Sequence, residues 1–492
     1  MDTLKKVISP VAAPVAEAAA SLVHETQSEA HRLFREQPGH RAASKKGAQP
    51  HVVPGIEHPG SVGVVYVSER AAANGYYPGN KEWANFGQGA PETGQIPGAA
   101  PKPTQLEVED FGDDIHEYGP TAGIPALRQK IADYYNVTFR KGMIPFEAEN
   151  ICVVPGGRAG LSRLMSVISP IMLGYQVPDY AAYEPLLGSF GKVQSIPLQL
   201  AERDGFKLKV EQLRQEIHDR GLTAVLLSNP RNPCGTLIEG EELRELVELS
   251  LRSDTTMIVD EFYAWYLHEG PVGRAVSAAQ YIEDPNECNL ALIDGLTKGW
   301  RCPGWRVAWV AGSKDLISAI SQAGSYLDGG ASHPMQVLAL QMLDPQRVVQ
   351  DREALQKHFR MKREYMLKRL ERMGLPVTVP PVATFYLWLN LSQLSSPLNS
   401  GLVFAEECLR EKVIVTPGIV FDVNPSHRRN IVDSASEPFV RISYGPTIEE
   451  CERGCDAIER VLSKARKGEK LGEGYTRAAT DTKEKHNPQA HG

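Results

Sequence analysis

Between residues 118 and 330 the chain repeats one pattern: a few consecutive apolar residues, a polar or Gly/Pro-rich loop, then a stretch of helical periodicity. The apolar runs fall at 151–154, 224–227, 256–259, 290–293 and 307–310. A strand that is apolar at every position, rather than at alternate ones, is covered on both faces. These runs therefore predict an α/β fold, with a mostly parallel sheet sandwiched by helices. A long helical pattern over 345–373 stops at Gly374, and apolar runs at 384–389, 413–416 and 439–443 then predict the strands of a smaller α+β domain. The flanks differ in character. Residues 1–60 are rich in Ala, Pro and Gln, with Pro10 and Pro14 breaking an apolar stretch, and residues 464–492 are polar and charged. The first segment predicts a partly disordered extension and the second a disordered, solvated tail. The expected organisation is an extension at 1–60, an arm and part of the small domain at 61–117, a large domain at 118–340, a small C-terminal domain at 341–463 and a tail at 464–492.

Composition narrows the classes of function. A chain of 492 residues, 42% hydrophobic, can bury the cores of two domains. Sixty acidic against 53 basic residues give a net charge of -7, which favours neither nucleic acid nor an anionic membrane surface as a partner. Nowhere do about 18 to 20 apolar residues run together, so no membrane-spanning helix is expected. Seven cysteines, an odd number scattered along the chain, argue against a disulfide framework and for a reducing compartment such as the cytoplasm. The basic cluster of Arg41, Lys45 and Lys46 invites a mitochondrial presequence, but Asp2, Glu17 and Glu25 break the acid-poor pattern of such peptides. Cys451 and Cys455 stand four apart on a predicted helix with no second pair nearby, so helix packing is expected there and no metal.

In open α/β sheets ligands bind beyond the carboxyl ends of the strands, so the loops after the apolar runs carry the chemistry. Gly156, Gly157 and Arg158 follow the first run and open a helix, where exposed backbone amides form an anion site. After 224–227 come two Asn–Pro steps, Asn229-Pro230 and Asn232-Pro233, which hold asparagine side chains in an extended loop, suited to donating to a phenolate-like oxygen. Asp260 ends the next run, with Tyr263 three residues on. A carboxylate there is costly unless paired, and a protonated pyridine nitrogen is a suitable partner. Lys298 follows 290–293, and Arg306 lies eight residues later. Together they offer a desolvated amine for an aldehyde and a planar fork for a phosphate. Arg441 sits mid-strand, where a guanidinium calls for a carboxylate, and that of a substrate would serve.

The combined set, Asn-Pro-x-Asn-Pro-x-Gly, Asp-x-x-Tyr, Lys with Gly-Trp-Arg after it and a late Val-Arg-Ile-Ser, resembles the class I/II pyridoxal-phosphate-dependent aminotransferases of the aspartate aminotransferase fold type, fold type I. The likeness runs from about residue 85 to 458. It implies that Lys298 forms an aldimine with pyridoxal 5'-phosphate and then shuttles a proton, while Asp260 keeps the pyridine nitrogen protonated. It further implies that Asn232 and Tyr263 hydrogen-bond the ring's 3-oxygen and that Tyr180 stacks on the ring face. The Gly157 and Arg158 amides and Arg306 would hold the phosphate. Tyr118 would reach the phosphate of a neighbouring subunit, which implies a homodimer. Gly87 or Gly89, with Asn232 and Arg441, would meet the substrate carboxylate.

The activity so implied is ping-pong transfer of an amino group between an L-amino acid and a 2-oxo acid. A lyase, aminocyclopropane carboxylate synthase-like or carbon–sulfur-cleaving, or an oxidase uses the same residues and remains the alternative. A regulator built on this fold would carry a DNA-binding module ahead of it, and no helix-turn-helix pattern stands there. Two positions depart from the family pattern. Gly295 stands where many relatives have a phosphate-binding serine, leaving Thr297 to replace that hydroxyl in part. Asp328 stands where dicarboxylate enzymes carry an arginine; facing the site it would favour cationic side chains, and otherwise it faces water.

Overall fold

The computed structural model describes residues 63–105, 112–429 and 433–469, with Ile431 and Leu471. The extension expected at 1–60 lies outside the described residues, as does most of the tail expected at 464–492.

The chain opens with α1 (Val64–Ala73), β1 (Ala84–Asn85) and α2 (Pro125–Phe139). Strands and helices then alternate: β2 (Ile151–Val154), α3 (Gly157–Val167), β3 (Ile171–Val177), α4 (Tyr183–Gly188), β4 (Val193–Gln199), α5 (Val210–Arg220), β5 (Ala224–Ser228) and α6 (Gly240–Arg252). Next come β6 (Thr256–Asp260), β7 (Leu290–Gly295), β8 (Ala308–Ala311), α7 (Lys314–Leu327) and α8 (His333–Ala339). The last part holds α9 (Pro345–Arg372), β9 (Tyr386–Asn390), α10 (Gly401–Arg410), β10 (Val413–Ile414), β11 (Thr416–Pro417), β12 (Phe439–Ser443) and α11 (Ile448–Arg466).

Seven strands form the main sheet in the order β2-β8-β7-β6-β5-β3-β4. They run parallel except β8, which is antiparallel to both β2 and β7. Alternate residues of each central strand enter two separate cores. Leu226, Ile258 and Ile293 pack under Leu161, Leu164 and Ile320 of α3 and α7, while Leu227, Val259 and Leu292 share the opposite core with Leu127, Ile131 and Leu246. Each fully buried Val, Leu or Ile contributes about 1.5–3 kcal/mol, so the doubly apolar runs are what close this sheet. All five expected strands are present. The expectation missed β3 and β4: Gly174 and Gln176 interrupt the apolar run of β3, and β4 is a sheet edge whose positions are mostly half-buried or exposed. A Cβ on Gly174 would sit 2.8 Å from a Leu222 methyl, so packing rather than chain freedom places a glycine there.

A second sheet pairs β11, β12 and β9 antiparallel, and sets Arg441 opposite Trp388 on one side and Thr416 on the other. The run expected at 413–416 is split: β10 pairs with β1, and β11 joins β12. Helix α9 starts where the Asp344 side chain accepts from the amides of Gln346 and Arg347, with Pro345 at its first position, and it ends before Gly374 at φ 80°. Helix α11 carries on to Arg466, so the expected start of the tail at Lys464 is corrected: that residue is helical and its ammonium lies 2.6 Å from Glu411. Cys451 and Cys455 are buried in α11, and the sulfur of Cys455 lies 3.6 Å from that of Met366, the contact of a packed helix. Among the described residues no helix is long and apolar enough to cross a membrane.

Candidate active site

The carboxyl ends of β2, β5, β6 and β7, together with the entry to β8, open on one cleft of about 440 Å³. The residues predicted for the site line it, except Gly87, the alternative to Gly89, and Tyr118, which is 92% exposed.

Asp260, the last residue of β6, forms the floor. It is buried, and its Oδ2 accepts a 2.9 Å hydrogen bond from the Tyr183 hydroxyl, while Oδ1 accepts from the Phe262 amide at 3.3 Å. Burial pushes the carboxyl up from its ordinary value; the Tyr183 and Phe262 hydrogen bonds and Lys298 pull the other way. A cationic ring nitrogen would complete this pairing. Lys298 stands above it, three residues past β7. Burial, and after it the charge of Arg441, push its amine down to about 7, with Asp260 opposing. Its Nζ donates to the Gly89 carbonyl, and its own carbonyl accepts from the Tyr266 hydroxyl at 2.9 Å.

The anion end is built from backbone. Helix α3 begins at Gly157 with no side chain capping its amides, so their partial positive charge faces the cleft. Side chains on the two glycines would fill this cradle: a Cβ on Gly156, at φ 93°, would run into the Arg306 guanidinium, and one on Gly157 into the Phe262 ring. Arg306, itself left-handed at φ 54°, is bonded only to the carbonyls of Pro303 and Pro155, at 3.2 and 3.4 Å. Thr297 also lines the cleft. The departure at Gly295 has a packing cause, since a Cβ there would lie 2.6 Å from both Cα and Cβ of Ala308 on the neighbouring strand.

Arg441 is 1% exposed, donates to Asn232 Oδ1 at 2.9 Å and to the Gly87 carbonyl at 2.8 Å, and lies 4.2 Å from the Tyr386 ring centre. Its Nε has no partner, and no carboxylate among the described residues pairs with it. A buried cation in that condition is suited to receive a carboxylate. The two asparagines of this loop part company. Asn232 faces the cleft, whereas Asn229 is spent on Ile238, giving to its carbonyl at 2.9 Å and accepting from its amide at 2.8 Å. Of the two candidate glycines, Gly89 lines the cleft and Gly87 turns its carbonyl to Arg441.

Sequence reasoning overlooked several residues. Tyr183 grips Asp260, and Tyr386 shares a 2.7 Å hydrogen bond with Tyr263. Asp179 is fully buried; it pairs with Arg231 at 3.1 Å, accepts from Ser228 at 2.5 Å and from the Tyr180 amide at 2.7 Å, and so ties the predicted ring-stacking residue to the asparagine loop. The spacing of Tyr183, one helical turn past Tyr180, was the one signal available. Asp328 corrects an expectation. It does not line the cleft, and Arg163, wholly buried in α3, grips its two oxygens at 2.5 and 2.9 Å. Partial burial works against ionisation, yet Arg163 holds the carboxyl below its ordinary value, and the charge is committed to the fold rather than to a substrate.

A buried carboxylate at one end, an uncapped helix terminus with an arginine at the other and a desolvated amine between them match the ring nitrogen, phosphate and aldehyde of pyridoxal phosphate. The Aminotransferase class I and II family profile matches residues 81–458. Among curated relatives, an aspartate aminotransferase of Pyrococcus abyssi is 27% identical over 368 residues, 72% of this chain and 86% of that protein. The glutamate-pyruvate aminotransferase AlaC of Escherichia coli is 29% identical over 360 residues, 71% of this chain and 80% of its own. In fold, an aminotransferase of Mycobacterium tuberculosis superposes with a TM-score of 0.69 at 22% identity, covering 85% of this chain and 100% of that one. The Thermus thermophilus aspartate aminotransferase solved with maleate gives 0.66 at 22% identity, covering 81% and 96%. Fold and family together define a pyridoxal-phosphate-dependent enzyme. The chain belongs to the class I and II aminotransferases, and the lyase or oxidase alternative is not favoured.

Proposed function

We propose that this cleft is where the enzyme moves an amino group between an amino acid and a 2-oxo acid, with each predicted residue in a definite role. The observation that carries the reading is the convergence on one cleft of Asp260 at the end of β6, Lys298 in the loop after β7 and Arg441 in β12. When bound, pyridoxal phosphate supplies the aldehyde that accepts the amine and an electron-withdrawing ring. Arg306, the Gly157 and Arg158 amides and Thr297 hold the phosphate end. Asp260, whose ionised form the Tyr183 hydrogen bond favours, holds a proton at the ring nitrogen. Tyr180 covers one ring face, its hydroxyl fixed by the Arg158 guanidinium at 2.8 Å. Asn232 and Tyr263 meet the ring oxygen. Arg441 binds the substrate's α-carboxylate with Gly89 beside it, and the neutral Lys298 amine takes the proton from the substrate's Cα and returns it.

Among the described residues lining the cleft, Asp260 is the one carboxylate against Arg158, Lys298, Arg306 and Arg441, which steers anionic substrates inward. Tyr118, exposed as it is, serves the phosphate site of a second copy, so the working unit is a homodimer with shared sites. The residues at 118–340 form the cofactor-binding domain and those at 341–463 the smaller one.

The test is to add single amino acids to the purified holoenzyme and follow the cofactor's absorption with and without 2-oxoglutarate. Conversion to the amine form, reversed by 2-oxoglutarate, supports the reading. Ammonia release with no oxo acid present would overturn it.

A further inference from the structure

Arg441 works between two walls, the segment from Phe86 to Glu92 and the exit of β12. The walls are stitched by backbone: the Ser443 amide donates to the Phe86 carbonyl and the Glu92 amide to the Gly445 carbonyl, both at 2.8 Å. They lie so close that a Cβ on Gly445 would stand 2.5 Å from the Ala90 carbonyl oxygen. From this segment come the two carbonyls that touch the chemistry, Gly87 to Arg441 and Gly89 to Lys298.

A side chain from neither wall pins both. Lys362, in the middle of α9, has no exposed surface, and its Nζ donates to Glu92 Oε1 at 2.6 Å, to the Gly445 carbonyl at 3.3 Å and to the Pro446 carbonyl. Three acceptors match the three protons of an ammonium. His358, one helical turn earlier, places Nε2 2.7 Å from the same Glu92 oxygen. Removing an ammonium from water is costly, and replacing a buried ion pair by apolar groups is often neutral for stability. Geometry is therefore what this pair supplies.

We propose that Lys362 is a positioning residue for substrate-carboxylate binding: by joining Glu92 to the Gly445–Pro446 turn it sets the distance between the Gly87 and Gly89 carbonyls and Arg441. The inference rests on the reading of Arg441 as the carboxylate receptor. Loss of the peg lets the walls separate, and both the amino acid and the oxo acid, which share that carboxylate, bind less well, while the phosphate end is untouched.

The experiment compares Lys362→Met, Glu92→Gln and Arg441→Met holoenzymes, measuring KM and kcat for glutamate and 2-oxoglutarate, cofactor affinity and Tm. Lys362→Met should raise both KM values about tenfold or more, the scale of a lost charged hydrogen bond, with kcat within about threefold and cofactor affinity as in the wild type. Glu92→Gln should raise them by less, and the double variant should be no worse than Lys362→Met alone. Should Lys362→Met fail to fold, Glu92→Gln decides by the same split. Wild-type KM values in both variants with a lowered Tm would make the peg purely structural and overturn the inference. If Arg441→Met also keeps wild-type KM values, the carboxylate reading itself fails; if it raises them while Lys362→Met and Glu92→Gln do not, only this inference falls.

Discussion

The Tyr183 hydroxyl donates a 2.9 Å hydrogen bond to Oδ2 of Asp260 in the buried floor of the cleft. Tyr183 opens α4 and Asp260 ends β6, so the bond ties the segment carrying Tyr180 to the strand proposed to meet the ring nitrogen. The donor favours the ionised carboxylate, against the burial that raises it. Tyr183→Phe should therefore push Asp260 further up, leave it protonated over more of the acid range, and lower kcat/KM about tenfold. A pH profile checks this: the acid limb should move to higher pH, and an unmoved limb would show that Asp260 does not depend on Tyr183.

Lys298 should capture its cofactor with an unusual pH dependence. Its amine, at an ordinary value of 10.5 when solvated, is pushed down to about 7 by burial and by Arg441. The unprotonated amine is the reactive form, so its fraction rises with pH and reaches half at about pH 7. Reconstitution of cofactor-free protein with pyridoxal phosphate should accelerate through neutrality and level off by about pH 8. Lys298→Ala should show no borohydride-fixed cofactor by mass spectrometry, and fixation at wild-type level in that variant would refute the assignment.

Gly295→Ser adds the hydroxyl that the family resemblance implies at this position but has no space for it. With Ala308 atoms 2.6 Å from the new Cβ, the substitution should cost about 1–3 kcal/mol by overpacking. A denaturant midpoint measures that loss, and cofactor affinity should not improve. Thr297→Ala, in the cleft itself, should weaken cofactor binding with little change in the midpoint.

Asp328→Ala leaves the buried Arg163 guanidinium without its counter-charge, and stability should fall by about 3 kcal/mol. The ratio of activity on glutamate to that on lysine should stay at the wild-type value. A shift in that ratio would place Asp328 in the substrate's path after all.

The strands of the main sheet that carry the site were legible because each holds a run of consecutive apolar residues and ends abruptly at a polar residue or Gly, as Met257–Val259 does before Asp260. Their last residues were less so: Ser228 and Asp260 look like loop, yet they pair in register because backbone hydrogen bonds, not hydrophobicity, decide where a strand ends. Edge strand β4 carried too weak an apolar signal to be seen. Asn229 and Asn232 read alike in the sequence, and only the position of Ile238 tells which one reaches the cleft.

Sequence alone determined five of the strands of the main sheet and the loops beside them, and with these the set of reactive types at the sheet's carboxyl edge: Gly157, Asn232, Asp260, Lys298 and Arg306. These follow from local pattern, since each lies at or within a few residues of a strand. Tertiary structure decided which charges pair. Asp328 meets Arg163 across 165 positions, Tyr183 meets Asp260 across 77 and Lys362 meets Glu92 across 270. The charge on a group in such a pair depends on the burial and the neighbours that folding supplies. The same applies to the Lys298 amine, held near neutrality by a pocket whose walls come from distant parts of the chain.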